Sequence, residues 1–316
     1  MYAFFYEKAI QLLVHNGVIS FITASLFIKG LKFDSLRTFL ERRTQLVHLK
    51  VVGDNVFENV LMPTAVLVSI KQKGNWSFAN MTPGGQILSK MDHSGVALDL
   101  ISNIQRGFEI GRNLVKKNQG TGDYPFITGS NVNRYVHTSL SYISKETYTA
   151  FAKEDYYYTG ERLLIRETGS SLTVVYEKNK LYSNRSLYSI KIKNPFYAVK
   201  YVLACLNSKA CQYYYSSKFK SDTELFPKIR IKQARTLPIP AANSEEQQNI
   251  INLVNRILDM KKTDSDADTQ MLENNIDFHI FHLYCLTYDE VLIIDPEIPI
   301  SRDEYEKVLT KQYQCV

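Results

Sequence analysis

The sequence predicts an α/β piece followed by an α+β region that closes in helices. Three patterns carry this expectation. Residues 1–70 alternate helical and strand-like apolar runs, residues 124–240 set short strand-like runs between turn signals, and helical periodicity returns after Pro240. The 316 residues are 45% hydrophobic and 12% aromatic, enough for two or three packed cores and too apolar for a disordered chain. Cys205, Cys211, Cys285 and Cys315 have no CxxC spacing, so no disulfide framework is expected. The first residues form no charged-then-apolar leader, and no apolar run reaches the roughly 18–20 residues of a membrane span. The expected setting is therefore the cytoplasm, with no membrane partner.

In chain order, Phe4, Phe5, Ile10, Leu12 and Leu13 give residues 2–14 a broad helical face, and His15-Asn16-Gly17 supplies the stop. Residues 18–23 (VISFIT) suit a strand buried on both faces, and residues 34–43 are again helical in spacing. Residues 46–52 and 64–70, joined by a turn-rich stretch, read as paired strands. Three strands and two helices cannot cover both faces of a sheet, and VISFIT is too apolar for an edge in water. A missing cover is implied, such as the first half of a Rossmann-like sheet.

Glycines and Pro83 punctuate residues 71–120, with weak helical character over 96–104, so this stretch reads as mostly linker. YPFITGSNVNRY, RLLIRETG, SLTVVYEKNKLY and NRSLYSIKIKN then read as short strands, residues 197–215 as one helix and residues 226–240 as an extended closing segment. Ser244 with Gln247 resembles a capping box opening a helix striped by Ile250, Leu253, Val254, Ile257 and Leu258. A second helix over residues 270–284 follows an acidic turn, which implies an antiparallel pair. The expected boundaries are 1–75, a 76–120 linker, 121–240, and a 241–316 helical hairpin.

The net charge of +6 hides an uneven distribution. Residues 101–240 carry 22 Lys+Arg against 10 Asp+Glu, whereas residues 241–316 carry 6 against 15. A basic, Tyr-rich middle suits neutralisation of the phosphates of a polyanion. Arginine forks reach guanine O6 and N7, while Lys and Tyr hold phosphates. The DNA-contacting candidates are Arg134 and Tyr135 after the Asn-Val-Asn turn, Arg162 and Arg166 in one strand, Arg185, and Lys228 with Arg230 on one strand face. Tyr156-Tyr157-Tyr158 and Tyr213-Tyr214-Tyr215 fit packing better than base stacking.

The run from Tyr2 to Leu40 and the string DNVFEN resemble the late catalytic region of N6-adenine-specific DNA methyltransferases of restriction-modification systems. Residues 124–135, 161–170, the LACLNSKACQYYY helix and FPKIRIKQARTLPIP are similar, in that order, to the TaqI-like specificity domain, and residues 274–291 resemble that group's closing helix. The resemblance implies a partial Rossmann-like methyltransferase sheet, then a β-rich target-recognition domain and C-terminal helices. It also implies base flipping, with Phe57 stacking on the extruded adenine; such a contact is worth about 1–3 kcal/mol.

The chemistry that the family needs is not in this sequence. No Asn-Pro-Pro-Tyr string occurs, and Asn194-Pro195-Phe196 reads as a turn inside the specificity region. Gly120-Thr121-Gly122 follows a polar linker rather than a strand, so no S-adenosylmethionine loop is expected. No residue is assigned as catalytic or cofactor-binding, and the chain alone is expected to be inactive. S-adenosylmethionine would enter only with a methyltransferase fragment or subunit that completes the sheet. His279, His282 and Cys285 recur every three residues but lack a fourth partner, so no metal is expected. A competing reading is a non-catalytic specificity subunit of a multi-subunit system; such subunits usually carry two recognition domains, and one is evident here.

Overall fold

The computed structural model describes residues 2–53, 56–57, 62–78, 84–219 and 228–312. They form a mixed α/β structure of several small sheets and short helices, in two units: Met1–Ser89 and Lys90–Val316. Among the described residues no helix is long and apolar enough to cross a membrane.

In the first unit, α1 (Tyr2–Leu12) leads to β1 (Val18–Ala24), α2 (Leu26–Lys29), α3 (Asp34–Arg43), β2 (Gln45–Gly53) and β3 (Thr64–Ile70). Helix α1 ends where Asn16, not Gly17, takes the left-handed conformation (φ 64°), and the Lys71 ammonium donates to the Leu13 carbonyl. The sheet order is β1-β3-β2, with both neighbours antiparallel to β3. The helices cover one face of it, burying Tyr6, Ile10, Ile19, Phe27, Leu36, Leu40, Leu67 and Phe78. Trp76 is anchored there by its indole N–H, which donates to the Thr44 carbonyl at 2.6 Å.

Two expectations change. Strand β1 is an edge of this sheet and alternates in burial, with Val18 58% and Ile22 43% exposed, rather than being buried on both faces. Of the apolar side chains expected to bury α1, Phe4, Phe5 and Leu12 are exposed, while Tyr6 and Ile10 fill the core. By register, Val18 and Ile22 share a face with Ile70, Val68 and Val66 of β3, opposite the helices.

The second unit begins in α4 (Gly85–Ser94), then β4 (Gly95–Ala97), α5 (Leu98–Ile101) and β5 (Ser102–Arg106). Most of this stretch was expected in a linker. Instead β5 closes one edge of a four-stranded sheet, β11-β10-β13-β5, built with β10 (Arg162–Arg166), β11 (Val174–Glu177) and β13 (Leu187–Ile192). Every pairing is antiparallel. Leu163, Leu164 and Ile165 of β10 have no exposed surface, as expected of a central strand. A second sheet joins β12 (Tyr182–Ser183), β6 (Tyr124–Ile127) and β9 (Ser141–Ile143), the last followed by α6 (Lys145–Phe151), and β7 (Val132–Asn133) with β8 (Val136–His137) forms a hairpin. Phe108, Phe126, Tyr158 and Tyr182 pack into an aromatic core beneath them.

Residues 197–215, expected as one helix, are two: α7 (Val199–Asn207) and α8 (Lys209–Phe219), broken at Ser208. The side chain of buried Asn207 explains the break, since it trades two hydrogen bonds with the Val174 backbone and pins the helix to β11. Residues 228–240 contain a short helix, α9 (Ile231–Arg235), before β14 (Pro238–Pro240). The next helix, α10 (Ser244–Thr263), is capped one residue earlier than expected: Asn243 and Glu246 form the reciprocal box. It packs on α11 (Gln270–Leu283), and α12 (Tyr288–Ile294) and α13 (Arg302–Gln312) follow. These helices belong to the same unit as the sheets. Cys205 and Cys211 are buried thiols; Cys285 is disulfide-bonded, a departure from the sequence expectation.

Candidate nucleic-acid interface

At one end of the four-stranded sheet, the strand termini gather basic side chains around a single carboxylate, Glu167. Its Oε1 and Oε2 accept from Nη2 of Arg106 at 2.7 and 3.0 Å. The Tyr188 hydroxyl lies 3.0 Å from Oε1 and 3.2 Å from the Ile229 carbonyl. Burial and Glu167 push that phenol upward, so it stays a protonated donor. The Glu167 backbone carbonyl accepts from Ile229 N–H, which docks residues 228–230 onto the sheet end. There Ile229 is buried while Lys228 and Arg230 are exposed, the alternation expected of an extended segment.

Arg166 ends β10 opposite Leu187, and Arg185 sits in the turn before β13. The Arg185 carbonyl accepts from Nε of Arg106 at 2.9 Å, and its guanidinium meets Glu109 at 2.5 Å, both side chains exposed. Gly107 lets two chain segments touch here, because a Cβ would lie 2.2 Å from the Asn184 carbonyl oxygen. Lys153 donates to the carbonyls of Arg106 and Gly107 and fixes the same corner. Among the described residues no carboxylate pairs with Arg166, Lys228 or Arg230. The sheet end therefore offers cations that no described carboxylate compensates, beside a hydrogen-bonded frame, the arrangement that attracts a polyanion.

Three of the sequence candidates do not belong to this surface. Arg162 has no exposed area: it donates to the carbonyls of Gly160, Asn179 and Leu181, each at 2.9 Å, and faces Glu177. Burial lowers its guanidinium to about 10, still cationic at neutral pH, so it is an internal tie between strands and not a base reader. Burial opposes the charge of Glu177, but bonds from His137 and the Asn179 and Lys178 N–H groups outweigh it and hold that carboxyl below its usual range. Tyr135 is 3% exposed, with φ at 66°. Arg134 pairs with Glu273 at 2.6 Å and donates to the Asn207 carbonyl at 2.7 Å, both through Nη2, so it is directed toward α7 and α11 and not toward the sheet end.

Arg106 and Glu167 were missed by sequence reasoning. Arg106 fell in the supposed linker, and a carboxylate amid basic residues gave no sign that it organises them. Phe57 is 46% exposed in the first unit; the rest of DNVFEN lies largely outside the described residues. Tyr158, Tyr214 and Tyr215 are buried packing groups. Gly120-Thr121-Gly122 is an exposed turn closed by the Asp123 carboxylate, with no helix N-terminus behind it, so it does not fit a cofactor's phosphate or carboxylate. Asn194 and Phe196 close a turn through the Asn194 Oδ1, and both ring nitrogens of His282 face backbone carbonyls, of Phe278 and Tyr305, rather than a metal.

The family model of the TaqI-like C-terminal specificity domain matches residues 124–239, which run from β6 into β14 and include Arg166, Arg185, Lys228 and Arg230. Residues 124–239 are thus similar to TaqI-like specificity domains. Residues 1–57 match the Eco57I restriction-modification methylase family. No curated protein matches the chain significantly. Among solved structures, the type IIL restriction-modification enzyme MmeI in complex with DNA is similar at 11% identity and TM-score 0.53, over 98% of this chain and 52% of that one. The type IIG restriction endonuclease BpuSI aligns at 14% identity and TM-score 0.43, over 94% of this chain and 50% of that one. The HsdS subunit from Thermoanaerobacter tengcongensis aligns at 13% identity and TM-score 0.36, over 65% of this chain and 50% of that one. The chain thus spans about half the length of these proteins. Within the matched residues, β10 and the turn before β13 carry Arg166 and Arg185 to the sheet end, while Arg106 joins from outside them.

Proposed function

We propose that this chain is the DNA-reading part of a restriction-modification adenine-N6 methyltransferase, and that the Glu167-centred end of its sheet meets duplex DNA. The observation that carries the reading is the grouping of Arg166, Arg185, Lys228 and Arg230 at one end of a TaqI-like specificity domain. Phosphate neutralisation by these cations supplies affinity, and base edges supply sequence discrimination.

The first unit fits the target-base side of a catalytic domain. Strands β1 and β2 each run antiparallel to β3 and hence parallel to one another, linked through α2 and α3, which suits the closing part of a Rossmann-like sheet. The free edge of β1 and the apolar face formed by Val18, Ile22, Val66 and Val68 invite the remaining strands and helices of such a domain. We assign that cover to a methyltransferase fragment or subunit, which would also bring S-adenosylmethionine. The Gly120-Thr121-Gly122 turn does not fit that cofactor, and no transfer step is assigned to this chain. Exposed Phe57 would then face an extruded adenine. The match of residues 1–57 to a methylase favours this reading over a stand-alone specificity subunit.

Selection of duplexes from a randomised pool by the purified chain tests the reading. A recurrent short motif is expected, and a pool that stays random through several rounds would overturn it. Adding a restriction-modification methyltransferase fragment should produce adenine methylation within that motif, with none from the chain alone.

A further inference from the structure

The basic residues at the sheet end are not electrostatically equivalent. Arg166, Lys228 and Arg230 meet no carboxylate among the described residues, whereas Arg106 is held by Glu167 through one nitrogen and by the Arg185 carbonyl through Nε. Its charge is offset by a carboxylate whose side chain is 15% exposed, yet its own side chain is 43% exposed. Among the described residues Nη1 has no acceptor, so part of the guanidinium edge remains available. Its backbone is fixed by pairing with Tyr188 and by the Lys153 bonds.

A neutralised but rigid guanidinium is poorly suited to phosphate attraction, which scales with net charge, and well suited to geometric recognition of a base edge. We propose that Arg106 is a specificity-determining residue that forks onto guanine, that Glu167 is its positioning residue, and that Arg166, Lys228 and Arg230 take the phosphates. The assignment rests on the DNA-reading function proposed above and divides the surface into a reading part and a holding part.

The test uses the full chain and the duplex enriched from the randomised pool, with each base pair replaced in turn. Binding is measured by fluorescence anisotropy over a series of salt concentrations. Arg106→Lys keeps the charge and removes the fork. It should flatten the preference at one or two guanine positions by roughly ten- to hundredfold while leaving the salt dependence unchanged. Glu167→Gln should lose the same preference and steepen the salt dependence by about one counterion, because Arg106 then acts as a free cation. Arg166→Ala should do the reverse, with a shallower salt dependence and the base preferences intact.

If Arg106→Lys reads every base position like the parent chain, or if Arg106→Ala reduces only the salt slope, Arg106 is a phosphate contact and the division fails while DNA reading stands. If the parent chain itself shows no base preference, the functional reading fails first. Thermal melting of each variant separates these results from unfolding, and the Glu167→Gln arm decides the matter should Arg106 variants melt early.

Discussion

The Arg134 guanidinium lies 2.6 Å from the Glu273 carboxylate, so a residue of the β7–β8 turn is tied to helix α11. The same guanidinium donates to the Asn207 carbonyl at the end of α7. One arginine thus joins the β7–β8 turn, the buried helix α7 and the closing helix α11.

Replacing Arg134 with Met should lower stability by on the order of 1–2 kcal/mol, since the Glu273 and Asn207 acceptors lose a charged donor in a partly exposed setting. Duplex affinity at fixed salt should stay within about twofold of the parent. Denaturant titration and anisotropy on the same preparation check both; a large affinity loss with an unchanged melting midpoint would return Arg134 to the DNA surface.

Arg162→Met should be far more damaging. Three backbone carbonyls and Glu177 would lose their only buried cation among the described residues, a loss of about 3–5 kcal/mol. Hydrogen exchange should reveal opening of β10 and β11. A variant that folds normally but fails to bind DNA contradicts the internal role.

The Lys228→Ala, Arg230→Ala double variant should cut the slope of log affinity against log salt by nearly two, at about 0.9 per phosphate contact. Its melting temperature should barely move, because both side chains are exposed and only Ile229 between them is buried. An unchanged slope would remove residues 228–230 from the interface.

Asp277 supplies a pH prediction. Burial raises its carboxyl to about 7, while the Lys209 backbone N–H at 2.7 Å and the nearby cations pull the other way. The unfolded carboxyl titrates near roughly 3.9. Between those values the folded chain binds more protons than the unfolded one, so this residue's stabilising contribution is full below the unfolded value and declines as pH rises toward 7. Asp277→Asn keeps the acceptor and removes the titration. Relative to the parent it should gain stability from pH 4 to pH 8, and a constant difference across that range would refute the assignment.

Local patterns made the elements legible. The apolar spacing of residues 34–43 gave α3 to the residue, and β-branched runs located β1, β3, β10 and β13 closely. Long-range partners were not legible. Nothing near Arg162 in sequence announces that Leu181 and Asn179 carbonyls will enclose it, and Arg134 meets Glu273 from far along the chain. The linker reading of residues 95–106 failed because β5 is short and carries Ser, Asn, Gln and Arg, so pairing with β13 rather than local composition makes it a strand. Arg106 was hidden for that reason, whereas Arg166, Arg185, Lys228 and Arg230 stood at turns and strand ends, where a basic residue in a basic stretch is already a candidate contact.

The most direct test of the account is the ratio of two affinities. The full chain is titrated against the duplex enriched from the random pool and against a duplex with the same base composition in shuffled order, both at about 0.15 M salt. The account predicts a preference of at least roughly a thousandfold for the enriched duplex, the usual lower margin of specific over non-specific binding. Equal affinity for the two would contradict it.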